Sequence, residues 1–233
     1  MTLAELVRES LRTLARTAHL TVPIAIAFEI PLVALELAGD EPIAFEVISL
    51  YSLVTMVADG AVLVLADQAL RARALEPGPA LATSLAAFGR NFITGLIAGL
   101  MTLMYLLLLI VPGIWRALTY AIAIPIAIHE GRSGVDACRA SADRLKGRLG
   151  IALAALSLAW SPFVLVELAL VVTEEAALTG TELPTWLPLF TVASYVLPIV
   201  ATLPVSAVQA VLYHRTQPDR ARPDAAEVAE VFR

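Results

Sequence analysis

Four ionisable residues fall inside runs that are otherwise aliphatic: Glu29, Asp59, Glu167 and Arg116. An acid at the centre of a membrane helix costs about 2.5–3.5 kcal/mol on insertion scales, so such groups are expected to face the interior and find partners. Two kinds of chemistry follow. Together the four would line a polar pocket for a lipid headgroup, a cation or a proton. Alternatively, the acids are protonated or bonded to Ser, Thr, Tyr and Arg side chains and hold the helices together. Glu36 and Glu46 lie nearer the ends of their runs and need less explanation.

No reaction centre is legible. His19, His129 and His214 all sit at the edges of apolar runs, and no HExxH spacing occurs. Neither a nucleophile–base pair at a recognisable spacing nor a Gly-rich phosphate loop is present. No catalytic residue, metal ligand or cofactor is therefore expected. Cys138 is the single cysteine, which excludes an intrachain disulfide and reads as a small apolar filler.

The elements that must position these residues follow from composition. The chain is 59% hydrophobic and 16% charged, with a mean hydropathy of +0.80. Soluble domains are about 45–50% apolar and about 25% charged. Aromatics are only 6%, so the excess is aliphatic, as in a protein whose solvent is hydrocarbon. Residues 1–18 are too charged for the apolar region of a cleavable signal peptide. Six spans are expected, over 20–38, 44–66, 92–111, 114–129, 150–173 and 186–212. The expected class is an all-α polytopic membrane protein, with one domain over 1–213, an amphipathic helix at its start and a polar tail over 214–233.

Charge decides the sidedness. With six spans, 15 of the 16 Lys and Arg residues fall on one side. They precede the first span, join the second to the third and the fourth to the fifth, or follow the sixth. Asp40, Glu41, Glu46, Glu174, Glu175 and Glu182 fall on the other side. The positive-inside rule then makes both termini cytoplasmic, in the inner membrane. A single helix over 92–129 would be about 57 Å long, far beyond the ~30 Å hydrocarbon core. A five-span chain would put the most basic connection outside.

The fourth span is short, so it runs nearly upright or its turn sits inside the membrane. That turn is expected at Pro112-Gly113, where Pro fixes its own φ and Gly tolerates positive φ. Arg116 is the sixteenth basic residue and is expected to snorkel to the outer headgroups, beside an interfacial Trp115. At the cytoplasmic side, 2–18 reads as an amphipathic helix with a Thr2/Glu5 capping box. Its apolar stripe is Leu3, Leu6, Val7, Leu11 and Leu14, flanked by Arg8, Arg12 and Arg16. Residues 133–147 read as a second such helix, capped by Ser133, with a seam of Val135, Cys138, Ala142, Leu145 and Leu149. A short helix is expected after Pro223. The basic residues are accounted for at membrane edges, so no nucleic acid is expected as a partner.

Pro112-Gly113-Ile114-Trp115, Pro125, Glu130-Gly131, Ala137, Ser141 and Leu145-Lys146-Gly147 form a pattern. It resembles the signature of the glycerophosphoryl diester phosphodiesterase membrane-domain family of bacterial and archaeal integral membrane proteins. The match covers about 112–147 and departs where members often carry an arginine and this chain has Thr119. The resemblance implies a fold and a membrane location, not hydrolase activity. The leading expectation is a non-enzymatic accessory or scaffold module that engages membrane lipids or another membrane protein. A small transporter or channel using Glu29, Asp59 and Glu167 is the alternative, and an intramembrane enzyme comes last.

Overall fold

The computed structural model describes residues 1–38, 45–178 and 187–217. These residues are helical nearly throughout, with no strand among them. The helices are α1 (Leu3–Ala38), α2 (Phe45–Leu70), α3 (Pro77–Leu108), α4 (Ile110–Thr119), α5 (Ala123–Glu130), α6 (Gly134–Leu145), α7 (Leu149–Leu178) and α8 (Leu187–Thr216). The stretches Leu53–Leu70, Pro77–Leu108 and Ile110–Glu130 are long and apolar enough to cross a membrane. Asp40, Glu41, Glu182 and the 218–233 tail lie outside the described residues, as do the side chains of Glu29, Glu46, Glu167, Glu174 and Glu175.

The start of the chain differs from its sequence reading. The amphipathic segment and the first span are one continuous helix, because nothing between Ala18 and Leu20 interrupts the backbone hydrogen bonds. The capping box forms as expected. The Thr2 N–H donates to Glu5 Oε2 at 2.8 Å and the Glu5 N–H to Thr2 Oγ1 at 3.3 Å. The bond from the Thr2 backbone holds the Glu5 carboxyl below its ordinary range. The expected leucine stripe is only partly the buried face: Leu6 is buried and Val7 and Leu14 half-buried, whereas Leu3 and Leu11 are exposed. The buried face is Leu6, Ser10, Thr13, Thr17, Thr21 and Ala25. Each hydroxyl on it donates to the carbonyl four residues earlier, so the small side chains pack without orphaned donors.

α3 follows the same inverted rule. It buries Ala80, Ser84, Ala87, Asn91 and Thr94, and exposes Leu96, Leu100, Leu103, Met104, Leu107 and Leu108. Small and polar residues face the bundle while large aliphatic ones face out. α2 supplies the centre, buried on almost every side from Ala58 to Ala69 against α1, α3, α5 and α8. Gly60 lets it approach α3 so closely that an added methyl would run into the Ser84 side chain. Ser84 in turn donates to the Val57 carbonyl at 2.7 Å.

The polar connections gather at one end. Arg71 pairs with Asp67 at 2.7 Å and reaches Gln217 at 3.5 Å. Arg215 pairs with Glu9 at 2.7 Å, and Arg148 donates to the Arg215 carbonyl at 3.3 Å. Arg16 donates to the Ala69 carbonyl at 3.2 Å. The start of α1, the α2–α3 connection, the start of α7 and the end of α8 therefore share one end, as the charge pattern requires.

The candidate site on helices α3, α4 and α6

The α3–α4 hairpin turns at Leu109, not at Pro112-Gly113. Leu109 is extended (φ −161°, ψ 136°) and is the single residue between the two helices. Pro112 instead sits in the first turn of α4, where a missing N–H costs nothing. Gly113 is helical and serves a close approach, since a Cβ there would lie 2.7 Å from the Leu106 Cα. The hairpin tip is a run of outward aliphatic side chains, Leu106 through Val111.

The segment read as span four is two helices broken at Tyr120–Ile122. The break tightens into shorter-range bonds, from the Ala121 N–H to the Leu118 carbonyl and from the Ala123 N–H to the Tyr120 carbonyl. This leaves the Thr119 carbonyl and the Ile122 N–H without helical partners. Ser141 of α6 serves both. Its hydroxyl donates to the Thr119 oxygen at 2.7 Å and accepts from the Ile122 N–H at 3.3 Å, fully buried. Pro125 keeps the break open, because a continuous helix would drive its ring into the Ala121 carbonyl.

Two further contacts seat α6. Ser133 makes no side-chain cap; the buried Thr94 hydroxyl accepts the Gly134 N–H at 2.9 Å instead. At the far end Arg144 holds Glu130 with two bonds, 2.6 and 2.8 Å. Gly131 (φ 71°) closes α5 in the left-handed region, and Gly147 (φ 77°) turns the chain after Lys146 toward α7. Of the expected seam of α6, Cys138, Leu145 and Leu149 are buried, while Ala137 and Ser141 take the place expected of Val135, which is 50% exposed.

This seating relocates Arg116. It was expected to reach outer headgroups, away from the 131–148 connection. Its guanidinium instead lies over the Tyr105 ring, 4.5 Å from the centroid, and donates to the Tyr105 hydroxyl at 3.0 Å. With Tyr120 it lines a cavity of about 220 Å³ shared with Arg139 and Cys138 of α6 and with Ile97 and Met101 of α3. The physical reason is the hairpin register. Turning at Leu109 sets the first turns of α4 against Tyr105 and Leu106, and α6 docks across both helices. Trp115 faces outward.

Asp59 is not gathered there. It was expected to face the interior; it is exposed on α2, engaged in an interaction of its own, and does not line the Arg116 cavity. Glu29 belongs to α1 and Glu167 to α7. Among the described residues, no group of three His, Cys, Asp or Glu side chains could hold a metal ion. Sequence reasoning missed Tyr105, Thr94 and Arg139 as members of the site. Tyr105 was within reach of it, because a tight antiparallel hairpin sets residues just before the turn beside those just after. Burial raises the Cys138 thiol above its ordinary range. No protein-family model, curated protein or solved structure matches this chain.

Proposed function

We propose that this chain is an integral membrane protein of non-enzymatic type, an accessory or scaffold module that engages lipids or a membrane partner through a six-helix bundle. The observation that carries the reading is the inverted pattern of α3. A helix that buries Ser84, Asn91 and Thr94 while exposing Leu96, Leu100, Leu103 and Leu107 is built for an apolar surround. In water that outward face would be an aggregation surface. The Leu106–Val111 tip fits a turn lying inside the apolar layer, which resolves the shortness of the segment that follows it.

The shared end of the basic connections supports an inner-membrane orientation with both termini cytoplasmic. Membership of the glycerophosphoryl diester phosphodiesterase membrane-domain family belongs to the same proposal. Its motif residues Pro112, Gly113, Pro125, Glu130, Gly131, Ser141 and Gly147 all have positional jobs in one hairpin-and-clamp unit. A transport role for the acids draws no support from the outward Asp59.

Two measurements test this. The full chain should stay in the membrane fraction after alkaline carbonate extraction. In a Cys138→Ser background, Asp143→Cys on the exposed face of α6 should react with an impermeant maleimide only after the cells are opened. Glu182→Cys should react in intact cells. The reverse pattern would overturn the orientation, and release by carbonate would overturn the membrane reading.

A further inference from the structure

Arg116 and Arg139 both line the cavity between α3, α4 and α6, and among the described residues no Asp or Glu lines it with them. Among the described residues neither arginine forms an ion pair with an acid, whereas Arg71, Arg132, Arg144 and Arg215 all do. An anion entering this space could pair with both side chains, neither of which has a carboxylate partner of its own among those residues. Arginine forks suit phosphate oxygens in particular. Arg116 is already fixed by the Tyr105 ring and hydroxyl, so little freedom is lost on binding.

The remaining walls are Ile97, Met101, Val135, Cys138 and Ala142, with Tyr120 the one other polar member. They are continuous with the outward aliphatic face of α3 at Leu96, Leu100 and Met104. A volume near 220 Å³ is small beside the roughly 300–1,000 Å³ clefts that enclose a drug-sized molecule. It admits a headgroup and leaves acyl chains to lie along α3.

From this geometry we infer that the Arg116–Arg139 cavity is a binding site for a phosphate-bearing anion, supplied by the headgroup of an anionic phospholipid. The inference rests on the membrane reading above and deepens it. Arg139 borders the cavity from α6 and Arg116 borders it from α4. The shared chemistry is the phosphate; the aliphatic approach selects a lipid over a soluble ion.

The sole cysteine lines the cavity and reports its occupancy without any substitution. The full chain is purified in neutral detergent, and modification of Cys138 by a small methanethiosulfonate is timed against added ligand. Dihexanoyl phosphatidic acid should slow the reaction saturably, and the chain-matched phosphatidylcholine should not. Arg139→Gln and Arg116→Gln should each weaken that protection on the order of tenfold, the loss of one charge-assisted fork. Arg12→Gln, on the exposed face of α1, should leave it unchanged. Should Arg116→Gln fold poorly, Arg116→Lys and the exposed Arg139→Gln carry the test. Equal protection by inorganic phosphate keeps the anion site and assigns it to a soluble source. Equal protection by phosphatidylcholine, or protection unaltered by either arginine change, overturns the site. Recovery of the chain without detergent would instead overturn the membrane reading, so the two failures are distinct.

Discussion

Replacing Ser141 by alanine tests the account of the α4–α5 break most directly. The hydroxyl satisfies the Thr119 carbonyl and the Ile122 N–H, and it is fully buried. Orphaning a buried backbone group costs about 1–3 kcal/mol. Side-chain hydrogen bonds measured within membranes average only about 0.6 kcal/mol, because the unfolded reference also finds partners. The larger figure applies only if nothing else reaches the two groups once the hydroxyl is gone. Re-knitting the helix would supply partners, but Pro125 blocks it at Ala121. Water would supply them too, but a single lost oxygen leaves less room than a water molecule needs. The expected loss is therefore about 2 kcal/mol, or roughly 4–8 °C in midpoint for a chain of this length. The assay is thermal unfolding of the detergent-solubilised chain, with Ser133→Ala as the comparison. Ser133 makes no side-chain cap, so its removal should stay within about 0.5 kcal/mol. Indistinguishable midpoints for the two variants would mean that the Thr119 carbonyl and the Ile122 N–H do not depend on the Ser141 hydroxyl.

Gly60→Ala drives a methyl into the Ser84 side chain at the α2–α3 crossing and should cost about 1–3 kcal/mol in the same assay, whereas Gly78→Ala, with open space around it, should not. Arg144→Gln removes the paired bonds to Glu130, which hold the end of α5 against α6, and should lower stability by about 1–2 kcal/mol, with protease sensitivity rising in the 131–148 connection. Burial holds the Cys138 thiol above its ordinary 9.0, so its thiolate fraction at neutral pH is smaller than that of an exposed thiol. Its alkylation rate should therefore keep climbing past pH 9, and a plateau below that pH would contradict the burial.

The all-helical character was legible because aliphatic runs of this length leave few other ways to satisfy a backbone in lipid. The capping box at Thr2 and Glu5 was legible because it is local. The shared end of the basic connections was legible because charge placement is read directly from the chain. What failed was facing. On α1 the leucines gave the most conspicuous stripe, yet the bundle chose Ser10, Thr13, Thr17 and Thr21. An apolarity pattern assumes that water is outside and the core is greasy; in the apolar surround proposed above, size and hydrogen bonding decide which face turns inward. On α6 the same preference put Ala137 and Ser141 inside in place of Val135, while Cys138, Leu145 and Leu149 kept their expected burial.

The position of Arg116 was hidden for a related reason. Span counting treats each connection as lying outside the bundle, so a residue one turn past a hairpin is assigned to the side of that hairpin. In the structure α6 is not outside; it is wedged across α3 and α4 and held at its two ends by Thr94 and Glu130. That wedge requires the chain after α5 to reverse sharply, which Gly131 provides, and requires the helix beneath it to break, which Pro125 and Ser141 provide. Each device is a single residue with a mild local signal. Only their combination carries Arg139 into the same cavity as Arg116. The residues between Pro112 and Gly147 therefore set the packing around the cavity that Arg116 and Arg139 line. Changes that release α6, such as Arg144→Gln, should lower anion protection of Cys138 even though Arg144 lines no part of the cavity.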